Sequence, residues 1–196
     1  MKAKKKVQSR GRTKGAQAKP ISNRFWLLAR YFFLIFILVG CDVALKQWVN
    51  GNLPRLGHEM QWYPYGGIGL FEDFMGVEGS IVHTINHGAA WGLFPDYTQL
   101  LLLIRIAFVA CLTTALLLLS GWQPYYPALF LLLAGALGNI LDAFIYGHVV
   151  DMFKFVLWGY HYPVFNLADS YICIGAAILF LINTVQERNR ASCKSN

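Results

Sequence analysis

Four apolar runs, each near the length of a bilayer crossing, constrain this chain more than any other feature. They cover about 25–49, 97–119, 126–146 and 167–185, and about 20 apolar residues suffice for a helix to cross a hydrocarbon core. Backbone polar groups have no water to bond there, so the runs predict four transmembrane α-helices. The 120–125 link, SGWQPY, reads as a short turn, which makes the second and third spans antiparallel neighbours. Composition agrees: 56% of the 196 residues are hydrophobic and 14% charged, against about 25% charged in an ordinary soluble domain.

Charge placement then sets an expected orientation. Ten of the 17 Lys and Arg lie between Lys2 and Arg30, and no acid precedes Asp42. This basic block predicts a disordered tail over 1–24 and not a nucleic-acid partner, because positive flanks are the ordinary cytoplasmic signature of membrane helices. The end of the chain, QERNRASCK, is also basic. An even number of spans lets both termini be cytoplasmic, with a four-span domain over 25–187 and a tail over 188–196. The loops after the first and third spans, which hold Glu59, Glu72, Asp73, Glu78, Asp96 and Asp151, then face outward.

The outer loop from Asn50 to Asp96 is rich in Gly, Tyr, Trp and Pro and alternates over Ser80–Ile85. It predicts a small antiparallel β element at the interface, with Trp62, Tyr63, Tyr65 and Trp91 as anchors. Arg105, two turns into the second span, reads as a side chain snorkelling to the outer headgroups. Cys41, Cys111, Cys173 and Cys193 have no C-x-x-C spacing and read as structural thiols. His83 and His87 are four apart, but GSIVHTINHG reads as strand and turn and lacks the glutamate of H-E-x-x-H, so no metal site is expected. His58, His148 and His161 read as loop residues, and the sequence suggests no role for them.

Polar residues in or beside the spans gather toward the outer end of the helices. Asp42 and Lys46 have the i, i+4 spacing of a helical salt bridge, and Asn139/Asp142 and Asn166/Asp169 each sit one turn apart. Asp151 follows the third span. Three uses stay open on spacing alone: interhelical hydrogen bonding, with Asp169 as a helix cap; a proton relay; or a carboxylate pair. Two carboxylates close together in a low-dielectric site share a proton. The ionised partner can then deprotonate water while the other supplies a proton to a peptide carbonyl and the leaving amine. Such chemistry needs no cofactor.

Four blocks extend the reading: D-V-A-L-K at Asp42–Lys46, N-H-G-A-A-W-G at Asn86–Gly92, G-N-I-L-D-A-F-I-Y-G-H-V-V-D at Gly138–Asp151 and F-N-L-A-D-S at Phe165–Ser170. In this order, on a four-span chain, they resemble lipoprotein signal peptidase (signal peptidase II). The resemblance implies an intramembrane aspartyl endopeptidase of the bacterial inner membrane, its active site facing the periplasm. It implies Asp151 and Asp169 as the catalytic pair. Asn86, Gly88, Ala89, Asn139, Asp142, Asn166 and Ala168 would line the pocket, and Asp42 and Lys46 would support it. The implied substrate is a bilayer-embedded prolipoprotein cut just before a diacylglyceryl-modified cysteine, and the implied inhibitor is globomycin. Three features depart from the family: the outer loop looks longer, the N-terminal tail is an extension, and Ala143 stands where the family usually has Arg. A guanidinium able to bind substrate carbonyls is thus missing there, with Arg55 and Lys154 as candidates to replace it. A rival reading takes Leu38-Val39-Gly40-Cys41 as a lipobox, but the apolar run continues to Val49 and three more spans follow. A channel or transporter would spread its charges across the membrane depth.

Overall fold

Long uninterrupted apolar stretches form the helices, and the computed structural model describes them within residues 21–56, 66–88, 93–118 and 123–195. The helices are α1 (Ile21–Asn52), α2 (Thr98–Leu118), α3 (Tyr126–Ile145) and α4 (Leu167–Ser195). Four helical segments are long and apolar enough to cross a membrane: Arg24–Asn52, Pro95–Leu118 (α2 with the turn before it), Tyr126–Ile145 and Leu167–Ser192. The expected spans fall on these helices, with α1 continuing to Asn52 and α4 continuing as helix well past residue 185. A 3-10 turn at Pro95–Tyr97 leads into α2. The expected basic tail over 1–24 lies mostly outside the described residues, as do Trp62, Tyr63, Tyr65 and Trp91.

The bundle is built around α3. Its apolar window is 61% buried, against 11%, 11% and 17% for α1, α2 and α4, so the other three leave most of their apolar surface outside the core. Close contact of α3 with its neighbours depends on small residues: a Cβ on Gly135 would collide with the Ala168 carbonyl oxygen of α4, and one on Gly138 would lie 2.6 Å from Asp42 Oδ2 of α1 and 3.0 Å from the Ala168 Cβ of α4. Small residues let membrane helices approach closely where no hydrophobic effect drives them together. Ile35, Leu116, Tyr126, Phe130, Leu133 and Tyr171 form the core between the helices, with Tyr31 stacked on Phe130 at 4.7 Å between ring centroids. At the far end of the bundle, Arg24 Nη2 donates to the carbonyls of Leu116 and Leu117 at 3.1 and 3.0 Å. That contact satisfies orphan acceptors at the end of α2.

A four-stranded antiparallel sheet stands at the opposite end, in the order β1 (Ile68–Phe74), β2 (Val77–Asn86), β3 (Val149–Leu157), β4 (Tyr160–His161). The expected β element is the β1–β2 hairpin. The sheet is larger than the loop after α1 alone supplies, because β3 and β4 come from the link between α3 and α4. Val49 of α1 and Leu53 just beyond it pack on Val150 and Met152 of β3, and His83 Nδ1 meets the Leu53 carbonyl at 3.1 Å. These contacts fix the sheet to the end of α1. Cys41, Cys111 and Cys173 are free thiols on exposed helix faces. Helix α1 runs unbroken through Cys41, and Asp42 and Lys46 beyond it are fully buried against the bundle.

Candidate active site

The site begins at the start of α4. Asn166 is its N-cap: Asn166 Oδ1 accepts from the Asp169 N–H at 2.8 Å, and Asp169 Oδ2 accepts from the Asn166 N–H at 3.3 Å. This is a capping box with Asp in the usual Glu position, and it satisfies two orphan donors reciprocally. The Ala168 N–H donates to Asp42 Oδ1 of α1 at 2.9 Å, so a carboxylate from another helix satisfies a further donor at the positive end of the α4 dipole.

Strand β3 places Asp151. Backbone bonds join Met152 and Phe153 N–H to the Phe165 carbonyl at 3.0 and 2.8 Å, which holds the residue before the α4 cap against β3. Asp151 pairs in register with Thr84 of β2. Pleating turns Asp151 to the opposite face from Val150 and Met152. There Asp151 Oδ1 accepts from Asn166 Nδ2 at 2.7 Å and Asp151 Oδ2 accepts from Asn86 Nδ2 at 2.9 Å.

Asn166 and Asn139 connect the two acids. The second hydrogen of Asn166 Nδ2 goes to Asn139 Oδ1 at 3.1 Å, and Asn139 Nδ2 donates to Asp169 Oδ1 at 2.8 Å. Asn139 Oδ1 also accepts from Lys46 Nζ at 3.3 Å. Lys46 is bracketed by Asp42 and Asp142, each 2.7 Å away and each essentially without solvent exposure. Asp142 Oδ2 additionally accepts the Val150 N–H at 3.1 Å, which ties the end of α3 to β3.

The expected residues therefore form two connected groups. Asn86, Asn139, Asn166, Asp151 and Asp169 form one. Asp42, Lys46 and Asp142 form the other, with Asp142 also bonded to the Val150 N–H next to Asp151. Ala168 is buried in the α3–α4 contact and meets the cluster through its backbone N–H. Gly88 donates to Asn86 Oδ1 at 2.9 Å and so orients that amide. Ala89 lies outside the described residues.

Two environments distinguish the acids. Asp151 is 2% exposed, whereas Asp169 is half-buried. Burial, reinforced by the nearby Asp169 charge, raises the Asp151 carboxyl to about 7, against the opposing hydrogen bonds from Asn86 and Asn166. Asp151 thus holds its proton near neutrality while two amides fix its orientation.

Two readings change. Arg105, expected to snorkel, also has a partner within the protein: its Nη2 donates to the Gly88 carbonyl at 3.2 Å, and the side chain lines a cavity of about 240 Å³ with Asn139. The signal was present, since a cation inside a span must find a partner. His148, for which the sequence suggests no role, lies 5.6 Å from His87 ring to ring, and burial and the positive charges nearby lower its pKa. His83 and His87 lie in β2 and just beyond it, not on a helix.

Fold and site define a polytopic membrane protein that holds a carboxylate pair between its helices and a β-sheet at one end of the bundle. The family model described as Signal peptidase (SPase) II matches residues 34–185. The chain belongs to the signal peptidase II family. It is 32% identical to the lipoprotein signal peptidase of Serratia proteamaculans, covering 83% of this chain and 91% of the relative. It is 41% identical to that of Chlamydia trachomatis serovar D, covering 76% and 87% respectively. A bacterial membrane enzyme solved at 2.3 Å shares the fold at TM-score 0.67 and 24% identity, covering 82% of this chain and 91% of that one.

Proposed function

We propose that this signal peptidase cuts diacylglyceryl-modified prolipoproteins just before the lipidated cysteine, with Asp151 and Asp169 as an aspartyl pair. The observation that carries the reading is the single hydrogen-bond network from Asn86 through Asp151 and Asn166 to Asn139, which joins both Asp169 and Lys46. All four sequence blocks contribute to it.

The half-buried Asp169 is the base and the buried Asp151 the acid. Asp169 takes a proton from water, whose oxygen bonds to the scissile carbonyl carbon. Asp151 donates its proton to the carbonyl oxygen. As the tetrahedral intermediate collapses, Asp169 passes its proton to the leaving nitrogen, and Asp151 recovers one from the hydroxyl that becomes a carboxyl. The C–N bond breaks, releasing the signal peptide and the amino group of the lipidated cysteine.

The domain spans 25–187, with both termini cytoplasmic and the sheet and acid pair at the periplasmic face of the inner membrane. The Lys and Arg distribution supports that orientation. A substrate lying in the bilayer then meets the pair laterally, while water enters from the periplasm. Globomycin is the expected inhibitor. The test is purified full-length protein in detergent with a lipidated prolipoprotein: the expected product begins at the modified cysteine and its formation stops with globomycin. Cleavage elsewhere, or none, overturns the reading.

A further inference from the structure

Arg105 is a charged side chain well inside a helix that is otherwise apolar, and its surroundings give it a use. At 1.5 Å per residue, its position seven residues after Thr98 places it about 10 Å along α2. A guanidinium at such depth is costly unless it faces protein or a polar cavity. It is half-buried, and one nitrogen is held by the Gly88 carbonyl at 3.2 Å. Asp169 and Asp151 both lie within its electrostatic reach, Asp169 more strongly.

The cavity beside it has a distinct polarity. Ile104, Phe108, Leu132, Ala136 and Ile172 form its apolar walls, and Arg105 and Asn139 are its polar members. Asn139 is the residue that donates to Asp169 at 2.8 Å. The cavity opens among α2, α3 and α4, and the apolar surfaces of α2 and α4 are largely exposed. An occupant that fits has an apolar body and an oxygen acceptor at the end nearest the acid pair. A guanidinium has five N–H donors and no acceptor, so one anchored to Gly88 retains donors for such an oxygen. Of the cations near the sheet end, Arg105 is the one that lines this cavity, whereas Arg55 lies beyond α1 in a bridge with His83.

We propose that Arg105 binds a carbonyl oxygen of the substrate in the cavity between α2, α3 and α4, seating the scissile bond beside Asp169. This rests on the aspartyl reading above and names a substrate-binding residue for it. The carbonyl belongs either to a peptide unit of the signal sequence or to an ester of the diacylglyceryl group. The two share their chemistry and differ in the consequence of removing the ester.

The experiment compares full-length wild type, Arg105→Gln and Arg105→Lys in detergent micelles, measuring kcat, KM and thermal midpoint. Losing a charge-assisted hydrogen bond to substrate raises KM by roughly tenfold to a hundredfold in Arg105→Gln. kcat stays within a few-fold, and Arg105→Lys recovers part of the loss. A substrate whose lipid is ether-linked assigns the oxygen: the KM difference between wild type and Arg105→Gln disappears if the ester is bound and persists if a peptide carbonyl is. An unchanged KM in folded Arg105→Gln overturns the proposal. So does a fall in kcat and thermal midpoint at constant KM, which marks Arg105 as a strut for Gly88 alone. The dyad reading fails separately, by turnover in an Asp151 or Asp169 variant, and that result leaves the Arg105 comparison interpretable.

Discussion

Replacing Asp151 by Asn should reverse its effect on stability as the pH changes. The Asp151 carboxyl is raised from 3.8 to about 7 in the fold, mainly by burial and then by the Asp169 charge. Its proton is bound more tightly folded than unfolded. The associated stability is therefore fully present below pH 3.8 and is lost as the pH rises through about 7, a cost of about 4 kcal/mol once both states are ionised. Asn has no such cost. It does lose an acceptor, however, because both Asp151 oxygens receive amide hydrogens, from Asn166 and Asn86. Neither amide can turn to compensate: Asn166 Oδ1 is held by the Asp169 N–H and Asn86 Oδ1 by the Gly88 N–H. The unmatched donor pair costs about 1–3 kcal/mol at every pH. Asp151→Asn should thus be less stable than wild type by about 1–3 kcal/mol near pH 4 and more stable by a similar amount near pH 8. Intrinsic tryptophan fluorescence during heating in detergent reads both proteins across that range, and the difference in thermal midpoint should swing by about 10 °C. A midpoint difference that stays constant with pH would refute the claim that burial holds Asp151 protonated.

Two further outcomes follow from the same network. Lys46→Met should lower stability by about 3–5 kcal/mol, because it leaves Asp42 and Asp142 buried side by side without the ammonium 2.7 Å from each; denaturation in mixed micelles checks this, and a loss under 1 kcal/mol contradicts it. Cleavage should fall as the pH rises through about 7, since Asp151 must be protonated to donate to the carbonyl; a kcat/KM profile still climbing at pH 8.5 argues for a different acid.

The four helices were legible because length and hydrophobicity alone decide them in a bilayer. A cap at the start of α4 was legible because capping is local, but spacing offered Asp169 for it, whereas Asn166 is the cap and Asp169 returns its bond from the third helical position. Asp42 and Lys46 could be paired by helical spacing, but Asp142 could not be added to them, because that contact joins α1 to α3 through space. Strand β3 was missed for the same reason. VVDMFKFVL becomes a strand by pairing with β2, more than sixty residues earlier in the chain, and nothing local announces that partner. The contact of Arg105 with Gly88 was not legible because spacing gives a residue's depth along a helix and not the face it turns inward. The acid pair itself was placed by topology at one end of the bundle, and the network of three asparagines between helices and sheet became visible only with β3 in position.

The central claim is that Asp151 and Asp169 act as a pair on the scissile bond. Single-turnover cleavage of a lipidated prolipoprotein by purified Asp151→Asn and Asp169→Asn tests it most directly, with thermal unfolding as the check that both are folded. The rate should fall by at least about a thousandfold in each, and the double variant should be no slower than the singles, because residues acting as a unit are not additive. Either folded variant cleaving at near the wild-type rate would contradict the account.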